Sequence, residues 1–200
     1  MINLKQLVLG NEKQIYSIHY SSNGFYSGSA IAPSICCISL VNMDSREVQS
    51  FDIDKYLKEG KCLIDSEKQL LTDFVNFYKS LDKPTFVTWN MTGIAYGFSA
   101  IYSRCENFGI EGLNFSWLET IDISEYFEYS LQTTLIKNCC CSQMFLTGKE
   151  EVDCFKKRAY NLVKQSTESK AIGLIRLLTK LINNSANRGY DYPHTIYADI

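Results

Sequence analysis

Asp122, Glu125 and Glu128 are the carboxylates whose spacing best suits joint chemistry. Glu125 and Glu128, three residues apart, share one face of a helix, and Asp122 precedes them by three residues. Hard oxygen ligands of this kind can hold Mg²⁺ or Mn²⁺ and activate water for phosphodiester cleavage. A cap at Asp122 and solvated helix acids at the other two positions are the simpler reading of the same residues. The remaining metal-ligating types are poorly spaced. The only histidines are His19 and His194, and the eight cysteines include the pair Cys36-Cys37 and the run Cys139-Cys140-Cys141 without a C-x-x-C. Side chains of adjacent residues diverge, so neither a disulfide nor a compact zinc site follows. Reduced cysteines acting as small core residues in a reducing compartment explain them better.

Phosphate contact is the other chemistry the sequence offers. Residues 149–180 hold eight cations against four anions, so this stretch carries +4 and leaves −6 to the rest of a chain whose net charge is −2. Arg158, Lys164 and Lys170 are the cations of interest. Trp89 and Asn90 end an apolar run, where α/β sheets place their sites, and Trp89 could stack on a base. The same features also describe a packed tryptophan, a helix-capping asparagine and a solvated helix surface.

These residues need elements to position them. The alternation of 14–20, the continuous apolar run 34–42 and the alternation of 48–53 predict three strands, the last two as a hairpin. Leu70, Leu71, Phe74, Val75 and Tyr78 recur at helical spacing in a helix opened by Asp65 and ended by Lys83-Pro84. A strand over 85–89, a helix over 94–107, a strand over 115–123 and a short helix follow. Tyr96-Gly97-Phe98 reads as a close contact permitted by Gly97. Residues 147–185 predict two helices, the first capped by Thr147 with Glu150 as its capping-box partner, with a break at Ser166-Thr167. This order suits an α/β domain with a mixed sheet flanked by helices, spanning 1–185 and followed by a turn-rich tail, 186–200, bearing Tyr190, Tyr192 and Tyr197. With 46% apolar and 21% charged residues, the chain can build a core and is not a disordered one. No apolar run reaches membrane-spanning length and no secretory leader is evident, which predicts a cytoplasmic protein without membrane contact.

The element order and the local motifs resemble the DEDD exonuclease branch of the ribonuclease H-like superfamily. In that family the first strand carries Asp-x-Glu, an Asn is followed about four residues later by an Asp, and a late helix carries the last Asp. The matched positions here are His19 and Ser21 in "HYSSNG", Asn90 and Ile94 in "NMTGI", and Lys170 in "KQSTESK". None of the four carboxylates is present, and Lys170 puts a cation where a metal would sit. Residues 84–182 also resemble a set of uncharacterised bacterial proteins in "WNM", "YGF", "FLTGKEE" and "STESK". The resemblance implies a ribonuclease H-like fold with no catalytic residue, no metal and no cofactor. The expected function is a catalytically inactive exonuclease-like module that binds single-stranded nucleic acid through Trp89, Asn90, Arg158, Lys164 and Lys170. The alternatives are a protein-interaction domain of a bacterial defence or regulatory assembly, and a metal-dependent exonuclease with a relocated site at Asp122, Glu125 and Glu128.

Overall fold

The computed structural model describes residues 4–24, 32–91, 96–113, 119–127, 136–140 and 144–187. Five strands form one sheet: β1 (Ile15–Ser22), β2 (Ile35–Asn42), β3 (Val48–Asp52), β4 (Thr85–Thr88) and β5 (Glu119–Asp122). Their order is β3-β2-β1-β4-β5. β2 runs antiparallel to β1 and β3, β4 runs parallel to β1, and β5 parallel to β4. This is an α/β fold with a mixed sheet, compatible with the ribonuclease H-like architecture.

The helices are α1 (Leu4–Val8), α2 (Ile53–Lys58), α3 (Leu63–Ser80), α4 (Phe98–Asn107), α5 (Gly148–Lys156) and α6 (Tyr160–Asn187). Residues 188–200, with His194 and the three tyrosines of the tail, lie outside the described residues.

Alternation in the strands sorts the two faces of the sheet. Ile18, Tyr20, Ile38, Leu40, Phe51 and Phe86 pack with Leu70, Leu71, Phe74 and Ile101 of α3 and α4. A fully buried Phe or Leu in such a layer contributes about 1.5–3 kcal/mol. Glu67 of α3 binds Arg104 of α4 through both carboxylate oxygens, at 2.8 and 2.6 Å. Its Oε1 also accepts from the Ile35 amide at 2.8 Å, fixing the start of β2. The opposite face belongs to α6, whose second half packs Leu174, Leu177 and Leu178 on Ile15, Val87 and Ile121.

Two local expectations are corrected. The helix expected to open at Asp65 begins at Leu63, because the Cys62 sulfur accepts from the Asp65 amide and caps it. The break expected at Ser166-Thr167 does not occur. Thr167 Oγ1 returns a hydrogen bond to the Val163 carbonyl within a continuous α6, and the chain instead breaks at Lys157–Ala159. There Arg158 adopts φ 59°, its amide donates to Phe155 O, and the Ala159 amide donates to Cys154 O. These two bonds form a Schellman closure with arginine in the position glycine favours. The short helices α1 and α2 give no readable period. α2 exists because Asp52, the last residue of β3, accepts from the Lys55 amide at 3.0 Å and turns the strand directly into a helix. Among the described residues, no helix is long and apolar enough to cross a membrane.

Candidate functional site

Ser17, His19 and Ser21 alternate along β1, on the face that α6 covers. Ser17 Oγ donates to the Ala171 carbonyl at 2.7 Å, and the Ser21 and Thr167 hydroxyls share a 2.7 Å bond. Ala171 and Thr167 are one helical turn apart, so two alternating strand residues meet one stripe of α6. The same polar seam continues outward. Ser39 and Ser50 are bonded at 3.0 Å, Ser50 Oγ donates to Glu168 at 2.7 Å, and Lys164 pairs with Asp52 at 2.9 Å. The first half of α6 therefore sits on hydroxyls and charges rather than on a hydrocarbon layer.

Lys170 is the centre of this seam. Its ammonium donates to Glu151 Oε1 at 2.7 Å, and Ser166 Oγ donates to the same oxygen at 2.7 Å. The Leu146 amide donates to Ser166 Oγ at 3.1 Å, and the Phe145 ring lies 5.3 Å from the ammonium. The two charged side chains are only 8% and 6% exposed. An ion pair enclosed this far is costly to open on one side, because the remaining charge loses water as well as partner.

His19 lies within electrostatic reach of that pair. Its imidazole is held well below the usual histidine range, first by desolvation and then by the Lys170 charge. The residue keeps part of its surface in solvent, yet the atoms packed around the ring favour the neutral form. Tyr96 closes the other side, its ring centroid 6.2 Å from His19 and 4.6 Å from Tyr20, stacked on the latter. Tyr96 Oη donates to the Tyr20 carbonyl at 2.9 Å, and the Gly97 amide donates to Tyr20 Oη at 3.1 Å. Gly97 has φ 150° and ψ −160°, a region essentially reserved for glycine. Burial pushes the Tyr20 hydroxyl up to about 12 and raises that of Tyr96 as well.

The structure thus brings His19, Ser21 and Lys170 to one end of the sheet, while Ile94 lies outside the described residues. Trp89 and Asn90 follow β4 directly and are engaged elsewhere. Trp89 stacks on Phe127 at 6.2 Å within an apolar cluster. Asn90 has φ 52°; its amide donates to Asp122 Oδ1 at 3.1 Å, and its side-chain oxygen accepts from Ser124 Oγ at 3.0 Å. It joins the ends of β4 and β5 and does not cap α4, whose cap position is Gly97. Asp122 is buried and caps the turn Ile123–Tyr126, accepting from the Ser124 amide at 3.0 Å and its hydroxyl at 2.6 Å. Glu125 is exposed, and Glu128 lies outside the described residues. Among the described residues, no three His, Cys, Asp or Glu side chains are grouped to hold a metal ion.

Lys164 is half-buried against Asp52. Burial opposes its charge, but the hydrogen bond and attraction of Asp52, with Glu168 and Cys37 beyond, raise its pKa overall. Arg158 is exposed at the α5–α6 corner, beside exposed Lys156 and Lys157. Described cysteines are free thiols, and burial pushes Cys37 and Cys105 up to about 12.

Glu151 was not legible as a partner of Lys170. The signal lies in its neighbour. Glu150 is committed to the capping box of Thr147, accepting from the Thr147 amide at 2.7 Å. The next residue lies about 100° further round the helix, and Glu151 there meets Ser166 and Lys170 of α6.

No protein-family model matches the chain, and no curated protein does.

Proposed function

We propose that this chain is a non-catalytic, exonuclease-like α/β module that works by binding a protein partner. The carrying observation is the enclosed Lys170–Glu151 pair. Where the resemblance would gather metal-binding carboxylates, the end of β1 offers a neutral imidazole, a hydroxyl already bonded to Thr167, and a cation whose charge is met by Glu151. That set supplies no unpaired carboxylate, the hard anionic oxygen that Mg²⁺ or Mn²⁺ would need. Of the residues expected to hold nucleic acid, half-buried Trp89 is stacked on Phe127, Asn90 is tied to Asp122 and Ser124, and Lys164 and Lys170 are paired with acids. Binding is left to the outer surface, where Leu63 and Ile64 are 38% and 66% exposed.

A single-stranded nucleic acid is the second reading, favoured by the exposed run Lys156-Lys157-Arg158. Phosphate contacts there would need neither Trp89 nor the cleft.

Two measurements test the proposal. Labelled single-stranded DNA and RNA incubated with Mn²⁺ should remain intact; metal-dependent cleavage abolished by Asp122→Ala would restore the enzyme reading. A photo-crosslinking residue at Ile64, expressed in the native host, should trap one defined protein, and trapping of nucleic acid alone would favour the second reading.

A further inference from the structure

The α5–α6 corner faces the α2–α3 connection across a groove of about 540 Å³. Its walls are Leu57, Leu63, Phe155 and Tyr160, and Lys156 and Arg158 stand at its rim. This volume falls within the range of about 300–1,000 Å³ usual for ligand pockets. Ile64 of α3 and Leu162 of α6 are also exposed, at 66% and 43%. Clustered exposed apolar side chains rimmed by charge mark interaction sites more often than scattered ones do.

The electrostatics of the rim have one sign. Among the described residues, Lys156, Lys157 and Arg158 make no ion pair, whereas Asp54, on the opposite wall's helix α2, is already held by Lys58 at 2.6 Å. The rim cations are therefore free to meet a carboxylate brought from outside. The walls argue against a nucleic acid. Phe155 and Tyr160 pack edge-to-face on each other, centroids 5.3 Å apart at 67°, and the remaining walls are leucine. Bases need open ring planes to stack on.

We infer that this groove docks an acidic, amphipathic segment of a partner protein, with apolar anchor residues on Leu57, Leu63 and Tyr160 and flanking carboxylates on Lys156 and Arg158. The inference rests on the protein-binding reading above and names where and what that reading would bind.

The test uses the intact chain and a displayed library of random peptides as the probe. Selected peptides should combine Leu, Phe or Trp with Asp or Glu. By fluorescence anisotropy, the best of them should bind about tenfold more weakly to Lys156→Glu/Arg158→Glu and to Leu63→Asp. Circular dichroism monitors the fold, and Lys156→Ala/Arg158→Ala replaces the reversal variant if that unfolds, with a smaller loss in the same direction. Failure to select binders, selection of peptides without acids, or affinity indifferent to all these variants would overturn the inference. So would self-association of the chain lost in Leu63→Asp, or binding of oligothymidylate at about 50 mM salt that is lost in the charge-reversal variant. If the groove variants trap the same host protein through the Ile64 crosslinker as the parent chain does, the groove is wrong and the protein-binding reading survives. If no protein is trapped by either, that reading falls too.

Discussion

Lys170 Nζ and Glu151 Oε1 meet at 2.7 Å and fix the short helix α5 to the long helix α6 above the end of β1. Glu151→Ala leaves an ammonium enclosed beside a depressed histidine, and should cost about 3–5 kcal/mol. Glu151→Leu combined with Lys170→Met removes both charges at similar volume and should recover most of that loss. Urea denaturation of the three chains measures the difference. A single variant no weaker than the double one would show that the pair is not effectively buried.

The clasp between Tyr96-Gly97 and Tyr20 makes a second prediction. Gly97→Ala forces a side chain into φ 150° and ψ −160°, costing about 1–3 kcal/mol. Tyr96→Phe keeps the stacked ring and loses only the bond to the Tyr20 carbonyl, costing about 1 kcal/mol. Thermal unfolding should rank them in that order; equal losses would mean that the backbone strain is absent.

The histidine sets an acid-side pH dependence. A folded-state pKa held below the ordinary 6.5 means that the unfolded chain binds the proton first as pH falls. Stability from this source is fully present above about 6.5 and declines with acidification until the folded-state pKa is reached. His19→Gln should flatten that slope. Denaturation midpoints across pH 5–8 decide it (about the range in which histidines change charge); an unchanged slope in the variant would assign the effect to another group.

Arg158 offers a stability change separable from binding. It occupies the left-handed closing position of α5, where a non-glycine side chain costs about 1–2 kcal/mol. Arg158→Gly should therefore stabilise by up to about 1 kcal/mol after the unfolded chain's greater freedom is offset, yet weaken the docked acidic peptide. Loss of both stability and affinity would mean that the arginine side chain supports the corner itself.

The strands and α3 were legible because each carries enough apolar residues at its own spacing. β1 sets Ile18 and Tyr20 toward α3 and α4 and Ile15 toward α6, β2 is buried on both sides because helices cover both, and α3 repeats Leu70, Leu71, Phe74 and Val75. The capping box at Thr147 was legible because its two bonds are local. The polar seam was not. Serines, a threonine and a cysteine under α6 have no apolar period to signal burial, so Ser166-Thr167 looked like a break when both hydroxyls were satisfied inside the packed helix. Lys170 stands out in the sequence by position alone; what meets its charge, Glu151, is nineteen residues away and becomes its neighbour only through the α5–α6 turn. Trp89 and Asn90 were correctly placed after a strand, but residue type could not say that one packs on Phe127 and the other bonds Asp122.

The final prediction probes whether the frame is nuclease-like beneath its altered side chains. Replacing His19→Asp and Lys170→Asp would put two new carboxylates beside Glu151, which loses its cation. Without metal, like charges at close range raise a carboxyl pKa and weaken the fold. Mn²⁺ should reverse this, because an ion that binds the folded state stabilises it by about 2.7 kcal/mol at a hundredfold excess over its Kd. The melting temperature of the double variant should therefore rise with Mn²⁺, while that of the parent chain stays level. His19→Asn/Lys170→Asn supplies oxygens of the same shape without charge and should respond far less. Equal responses of the Asp and Asn variants would place these residues too far apart to share an ion, and with that the likeness to a metal-binding exonuclease cleft would be lost.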